Sequence, residues 1–255
     1  MNYITATQTD IGTRKKTNQD SMIVMQAATD RGQVLLASVC DGMGGLAKGE
    51  VASAAMVRAL EKWFTQQLPT LLAEGFEETK LWEQWKALIE ETNSQIGSYG
   101  VKHHTALGTT CVAILLVDQD YYIVNVGDSR AYLLADTIYQ LTKDQTYVQR
   151  EMDEGRMTYE QSLVDPQRSV LLQCIGASRI VNPVFHHGQF APGTVFMLCC
   201  DGFRHVILPD EFYQAFRPDL MTSPDIMKNR ISDLIRLNIQ RNEDDNISAI
   251  LVKTH

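Results

Sequence analysis

Residues 34–47 read Val-Leu-Leu-Ala-Ser-Val-Cys-Asp-Gly-Met-Gly-Gly-Leu-Ala. An almost wholly apolar, strand-like run from Val34 to Cys40 ends on Asp41 and a glycine-rich loop, and a helical pattern begins near Gly49. Two readings compete. Gly42 to Ala47 satisfies G-x-G-x-x-A between a strand and a helix, the dinucleotide-binding fingerprint, with Glu61 near the expected acidic position. Against it, Asp41 would aim a carboxylate at a pyrophosphate. Glu61 to Leu68 also stays helical where a second parallel strand is required. A P-loop fits less well, because Lys48 is followed by Gly49 rather than Ser or Thr.

The second reading starts from the aspartate. A carboxylate at the end of a buried strand is costly unless something positive neutralises it. The pattern recurs: Asp201-Gly202 follows Val195 to Cys200, and Asp245-Asn246 leads into Ile247 to Val252. One Asp-Gly alone reads as a turn. Three such sites point to a shared divalent metal held by hard oxygen ligands, Mg²⁺ or Mn²⁺ by the donor type. Gly42 would let a backbone carbonyl approach beside the Asp41 carboxylate, where a Cβ would obstruct. Two ions about 3.5–4 Å apart could share a water and lower its pKa. Phosphate-ester hydrolysis suits such a centre, because the ions also neutralise charge on phosphoryl oxygens.

Outward from this motif, strands are expected near Tyr3 to Thr9, Ser21 to Gln26 and Val34 to Cys40. A helix from Gly49 to Leu68 should bury Val51, Ala55, Ala59, Trp63 and Leu68. A loop around Pro69 to Gly75 would let a second helix, Glu77 to Tyr99, lie antiparallel to it, burying Leu81, Trp85, Leu88, Thr92 and Ile96. The middle turns to hairpins: Thr109 to Val117 with Tyr121 to Val126, and Ala131 to Leu134 with Ile138 to Leu141. Asp144 to Leu163 reads as a polar, helix-leaning excursion. Strands return at Val184 to His187 and Val195 to Cys200. A last helix, Pro224 to Gln240, with Ile226, Ile231, Leu234, Ile235 and Leu237 on its apolar side, precedes the closing strand. Hairpin-ordered strands with two blocks of helices give an α+β layered fold rather than βαβ alternation.

Bulk composition narrows the function classes. The 255 residues are 44% hydrophobic and 21% charged, as in a globular protein, and read as one domain, 1–255. A net charge of -8 argues against nucleic acid or an anionic membrane as partner. No apolar run approaches the roughly 18–20 residues that span a bilayer, and Met1 to Asp10 has no apolar leader core, so a cytoplasmic protein is expected. The five cysteines form no C-x-x-C pair and read as buried thiols, with one of Cys199 and Cys200 facing the core. His103-His104 and His186-His187 read as surface residues.

Taken together, the motifs resemble the metal-dependent protein phosphatases of the 2C type in their compact bacterial form. The resemblance is carried by Gly12 to Ser21, Asp41 to Ser53, Gly108-Thr109-Thr110, Gly127 to Tyr132, Leu141 to Asp144, Asp201-Gly202 and Asp245 to Ser248. It implies a four-layer α-β-β-α fold, a central antiparallel β-sandwich flanked by helical hairpins, with Mn²⁺ or Mg²⁺ at one end. It implies hydrolysis of phosphoserine and phosphothreonine in proteins by a metal-activated water, opposing a Ser/Thr kinase in bacterial signalling. Asp41 would bridge two ions, the Gly42 carbonyl would bind the second, and Asp201 and Asp245 would complete the first. Asp20 would hold a metal-bound water. Asp128, with Asp201, would hold a third, weaker ion, and residues 146–170 would form a mobile flap near the substrate entrance. A monomer acting on phosphorylated proteins is expected. The alternative is a catalytically weak pseudophosphatase, a binding module of the same fold.

Four positions depart from the family pattern. Lys15, with Arg14 beside it, stands where a phosphate-binding arginine is usual, and a lysine offers charge without a bidentate fork. Gln19 replaces the common glutamate, Met43 stands where many eukaryotic relatives carry a histidine proposed as general acid, and His205 stands where an aspartate often assists the third ion.

Overall fold

The computed structural model describes residues 1–44 and 48–255; Gly45, Leu46 and Ala47 of the Asp41–Ser53 motif lie outside them. The chain opens with β1 (Tyr3–Asp10), β2 (Ser21–Thr29), β3 (Gly32–Cys40) and a short β4 (Gly42–Gly44). Helices α1 (Gly49–Gln66), α2 (Leu68–Ala73) and α3 (Glu78–His103) follow. Next come β5 (Leu107–Thr109), β6 (Cys111–Val117), β7 (Asp120–Val126), β8 (Arg130–Leu134) and β9 (Ile138–Gln140). Short helices α4 (Tyr147–Asp153) and α5 (Tyr159–Val164) precede β10 (Val184–Gln189) and β11 (Val195–Cys199). Helices α6 (Asp201–Arg204), α7 (Pro209–Phe216) and α8 (Pro224–Gln240) lead to β12 (Ile247–Thr254).

One five-stranded sheet has the order β1-β12-β11-β8-β9 and the other β10-β7-β6-β3-β2, while β4 and β5 form a separate ribbon. All these pairings are antiparallel. Strand β3 shows why the sheets stack. Leu35, Ala37 and Val39 enter the cluster shared with Phe196, Leu198 and Ile250 of the facing sheet. Val34, Leu36 and Cys40 enter a second cluster with Met56, Leu60, Trp63 and Trp85 of α1 and α3. Because side chains alternate along a strand, an all-apolar run buries both faces. Phe212, Phe216, Met227 and Ile231 of α7 and α8 cover the other sheet's outer face. The result is the expected four-layer α-β-β-α arrangement.

Several element boundaries and faces differ from the sequence reading. The buried stripe of α1 is Ala52, Met56, Leu60 and Trp63, one position on from Val51, Ala55 and Ala59, which are half-buried. The bulkier Met56 and Leu60 face the sheet, displacing the small alanines to the flank. The expected loop at Pro69 to Gly75 is mostly α2, stapled down by buried Leu68 and Leu71. In α3 Ile89, not Leu88, is buried, and the helix runs on to a left-handed cap at His104. The Trp63 and Trp85 rings meet edge-on at 5.4 Å, joining α1 to α3. Ile226 of α8 is exposed, and Met227 takes its place. Cys199 and Cys200 are both buried, since β11 is covered on each face. Helices α6 and α7 fall where the sequence pattern predicts no element.

Candidate active site

Antiparallel register gathers the acidic motifs at one end of the sandwich. Ser21 pairs with Cys40, so Asp20 and Asp41 flank one strand end. Cys199 pairs with both Ala249 and Arg130, and Cys200 N donates to Ser248 O at 3.1 Å. Asp201, the segment before β12 with Asp245, and the β7–β8 turn with Asp128 therefore meet at the same end. Residues far apart in sequence become neighbours through strand pairing alone.

Backbone contacts lock the carrier segments. Asp41 N donates to Thr110 Oγ1 at 3.0 Å, and Asp41 O accepts from Thr110 N at 2.9 Å and Thr109 Oγ1 at 3.0 Å. Gly42 admits no side chain: a Cβ there would lie 2.3 Å from Gly49 O and 2.4 Å from Gln19 O. With its amide nitrogen toward Gly42, the Gln19 side chain donates to Gly42 O at 3.3 Å and accepts from Gly49 N at 3.1 Å. A glutamate carboxylate could not make that donation, so Gln19 positions the Gly42 carbonyl in a way the usual residue would not. Asn246 holds the N-terminal loop, accepting from Gln19 N at 2.8 Å and donating to Ile11 O at 2.9 Å. Gly12, at φ +76°, passes so close to Asp245 O that a Cβ would lie 1.9 Å from it.

The electrostatics record crowded negative charge. Burial, then Asp20, Asp201, Asp128 and Asp245, push the Asp41 carboxyl well above the usual carboxylate range. Burial pushes Asp20 up to about 7, tempered by the nearby Ser248 hydroxyl and Cys200 thiol. Neither Asp20 oxygen, nor Asp201 Oδ1, finds a well-formed hydrogen bond among the described residues. Burial would also raise Asp201, but His205 and Arg204 outweigh it and hold its pKa low. Burial pushes Asp128 up to about 7.

Local cations take up part of this charge. Lys15 Nζ lies 2.8 Å from Asp245 Oδ1. Partial burial opposes its charge, but Asp245, Asp41 and Asp201 together raise its pKa. Arg14 points elsewhere, to Asp244 Oδ2 at 2.9 Å, and is 79% exposed. His205 stands 3.4 Å from both Asp201 Oδ2 and Glu243 Oε2. Arg204 reaches Asp128 and Asp144. As they stand, no group of three His, Cys, Asp or Glu side chains among the described residues forms a closed ligand set. Orphaned, mutually repelling carboxyl oxygens beside one backbone carbonyl nevertheless suit hard divalent cations at Asp41, Gly42, Asp201 and Asp245.

Sequence reasoning missed Thr110, Asn246 and Arg204 as organisers. Thr110 and Asn246 lie inside quoted motifs, and Arg204 directly follows Gly202-Phe203. Met43 lies in β4, opposite Gly108 of β5. His103 and His104 are exposed at the end of α3, and His186 and His187 sit half-buried on edge strand β10.

Comparison with known proteins gives this geometry its context. The family model described as protein phosphatase 2C matches residues 11–235. The serine/threonine phosphatase stp of Listeria welshimeri is 29% identical over 96% of this chain and 94% of its own. The structure of the S. agalactiae serine/threonine phosphatase superposes with a TM-score of 0.85 at 26% identity, covering 100% of both chains. The catalytic domain of the serine/threonine protein phosphatase PstP, solved with 2 manganese ions, gives a TM-score of 0.77 at 27% identity, covering 98% of this chain and 97% of that one. Sequence and fold agree, and the chain belongs to the protein phosphatase 2C family.

Proposed function

We propose that this protein hydrolyses phosphoserine and phosphothreonine in phosphoproteins at a centre holding two Mn²⁺ or Mg²⁺ ions. The observation that carries the reading is the set of buried carboxyl oxygens on Asp20 and Asp201 that, among the described residues, have no hydrogen-bond partner beside Asp41. Asp41, the Gly42 carbonyl, Asp201 and Asp245 would hold the ions. Bound there, the ions would supply an activated water and neutralise charge on the phosphoryl group. Asp20, whose two carboxyl oxygens find no hydrogen-bond partner among the described residues, would orient that water. Lys15 leaves Asp245 to bind a phosphoryl oxygen, while Arg14 stays with Asp244. The manganese in the PstP structure supports the choice of metal.

Residues 146–170 are assigned as the flap that shapes the substrate approach. Helix α5 leaves Tyr159, Leu163 and Val164 exposed, and the segment is tied at its ends by Tyr147 N donating to Val170 O at 2.8 Å. No helix among the described residues is long and apolar enough to cross a membrane. A cytoplasmic role as a monomer opposing a serine/threonine kinase completes the proposal. The binding-module alternative finds no support: the relatives are named as phosphatases, and each proposed ligand residue is present at the sandwich end.

The test is phosphate release from phosphothreonine and phosphotyrosine peptides with Mn²⁺, with EDTA as control. Mn²⁺-dependent release from phosphothreonine and little from phosphotyrosine is expected. Equal release from both would make the protein a general phosphomonoesterase, and release in EDTA would overturn the metal centre.

A further inference from the structure

Asp128 is buried, and an arginine already occupies its carboxylate. Arg204 Nη2 donates to Asp128 Oδ2 at 3.3 Å and to the Asp128 carbonyl at 3.1 Å. The same nitrogen lies 3.2 Å from Asp144 Oδ2. Asp144 is itself gripped by Arg130, whose Nε and Nη2 donate to Oδ1 and Oδ2 at 2.7 Å each. The side chains of Arg204, Asp128 and Asp144 are 11%, 7% and 8% exposed, so the group is closed against solvent. Two guanidiniums face two carboxylates, which leaves no uncompensated negative charge on that side.

A guanidinium is a permanent cation in proteins. A divalent ion arriving at Asp128 would meet that positive charge within a few ångströms, in surroundings that screen little. Beyond Asp128, Asp201 Oδ2 is faced by the His205 ring at 3.4 Å, so the outer oxygen is also shared with a nitrogen base. The other oxygen of Asp201, Oδ1, is buried and free of partners among the described residues. The cluster is therefore asymmetric, with orphaned oxygens on Asp20 and Asp201 and arginine-paired ones on Asp128 and Asp144.

We propose that Arg204 is a built-in substitute for a third metal ion. It holds Asp128 and Asp144 to α6, keeps the turn between β7 and β8 beside Asp201, and limits the protein to two ions. Third-ion binding at Asp128, implied by the resemblance, does not fit these residues. The inference rests on the two-ion reading above.

Counting bound Mn²⁺ by equilibrium dialysis with elemental analysis tests it without reference to turnover. The native protein should retain two ions per chain. Arg204→Ser should retain a third, which Arg204→Ser/Asp128→Asn loses, whereas Arg204→Lys should stay at two. Asp128→Asn in the otherwise native chain should also stay at two, a result that does not depend on the Arg204 variants folding. Three ions in the native protein, an ion lost in Asp128→Asn, or a folded Arg204→Ser that still holds two would overturn the role of Arg204. No Mn²⁺ bound to the native protein would instead overturn the metal centre itself.

Discussion

The Lys15 ammonium stands 2.8 Å from Asp245 Oδ1, while Arg14 next to it faces away toward Asp244. The loop that carries both is fixed by Thr13 Oγ1 donating to Glu243 O at 2.9 Å and by the Asn246 contacts. That placement supports the proposal that the lysine, rather than the arginine, is the cation that meets a phosphoryl group.

Lys15→Ala should therefore raise KM for a phosphothreonine peptide by roughly 10-fold or more, the loss of one charge-assisted hydrogen bond. Arg14→Ala removes an exposed pair and should change KM by less than about threefold. Lys15→Arg should recover most of the binding. A larger effect from Arg14→Ala than from Lys15→Ala would reverse the assignment.

Stability of the metal-free protein should fall as pH rises toward neutrality. Folded Asp20 keeps its proton up to about 7. An unfolded aspartate releases its proton near pH ~4. Between those values the folded state binds more protons, so stability declines with rising pH. Carboxylates held low, such as Glu211 at about 2, act below this window. In EDTA, Tm should drop between about pH 5 and 7.5, by about 2–4 °C for each kcal/mol lost. Saturating Mn²⁺ should flatten or invert the slope, because ions take the protons' place. A rising Tm across the window in EDTA would contradict the assignment.

Gly42→Ala should damage both stability and activity. Its methyl would press on Gly49 O and Gln19 O, at 2.3 and 2.4 Å before any relaxation. Overpacking of this kind costs roughly 1–3 kcal/mol. Gly97→Ala, where the methyl meets only Gly176 O at 3.3 Å, should be nearly neutral by thermal melting. Equal effects from the two would remove the close-approach role given to Gly42.

Much of the fold was legible because β3 and α1 carry strong patterns: an unbroken apolar run and a helical period. What periodicity could not fix was the face, since Met56 and Ala55 are both apolar and only packing against the sheet chooses between them. Short α7 and α2 offered too few turns to show a period. At the site, Asp41, Asp201 and Asp245 announced themselves by ending strand-like runs. Arg204 did not, because its partner Asp128 lies 76 positions upstream and only the pairing of β8 with β11 brings them together.

The central claim is that buried aspartates hold the ions that hydrolyse the phosphoester, and Asp201→Asn tests it most directly. The substitution is isosteric, so circular dichroism and Tm in EDTA should match a folded protein. Mn²⁺ binding measured by calorimetry should weaken markedly, and Mn²⁺-dependent hydrolysis of a phosphothreonine peptide should fall by more than about 100-fold. Native turnover in folded Asp201→Asn would contradict the account.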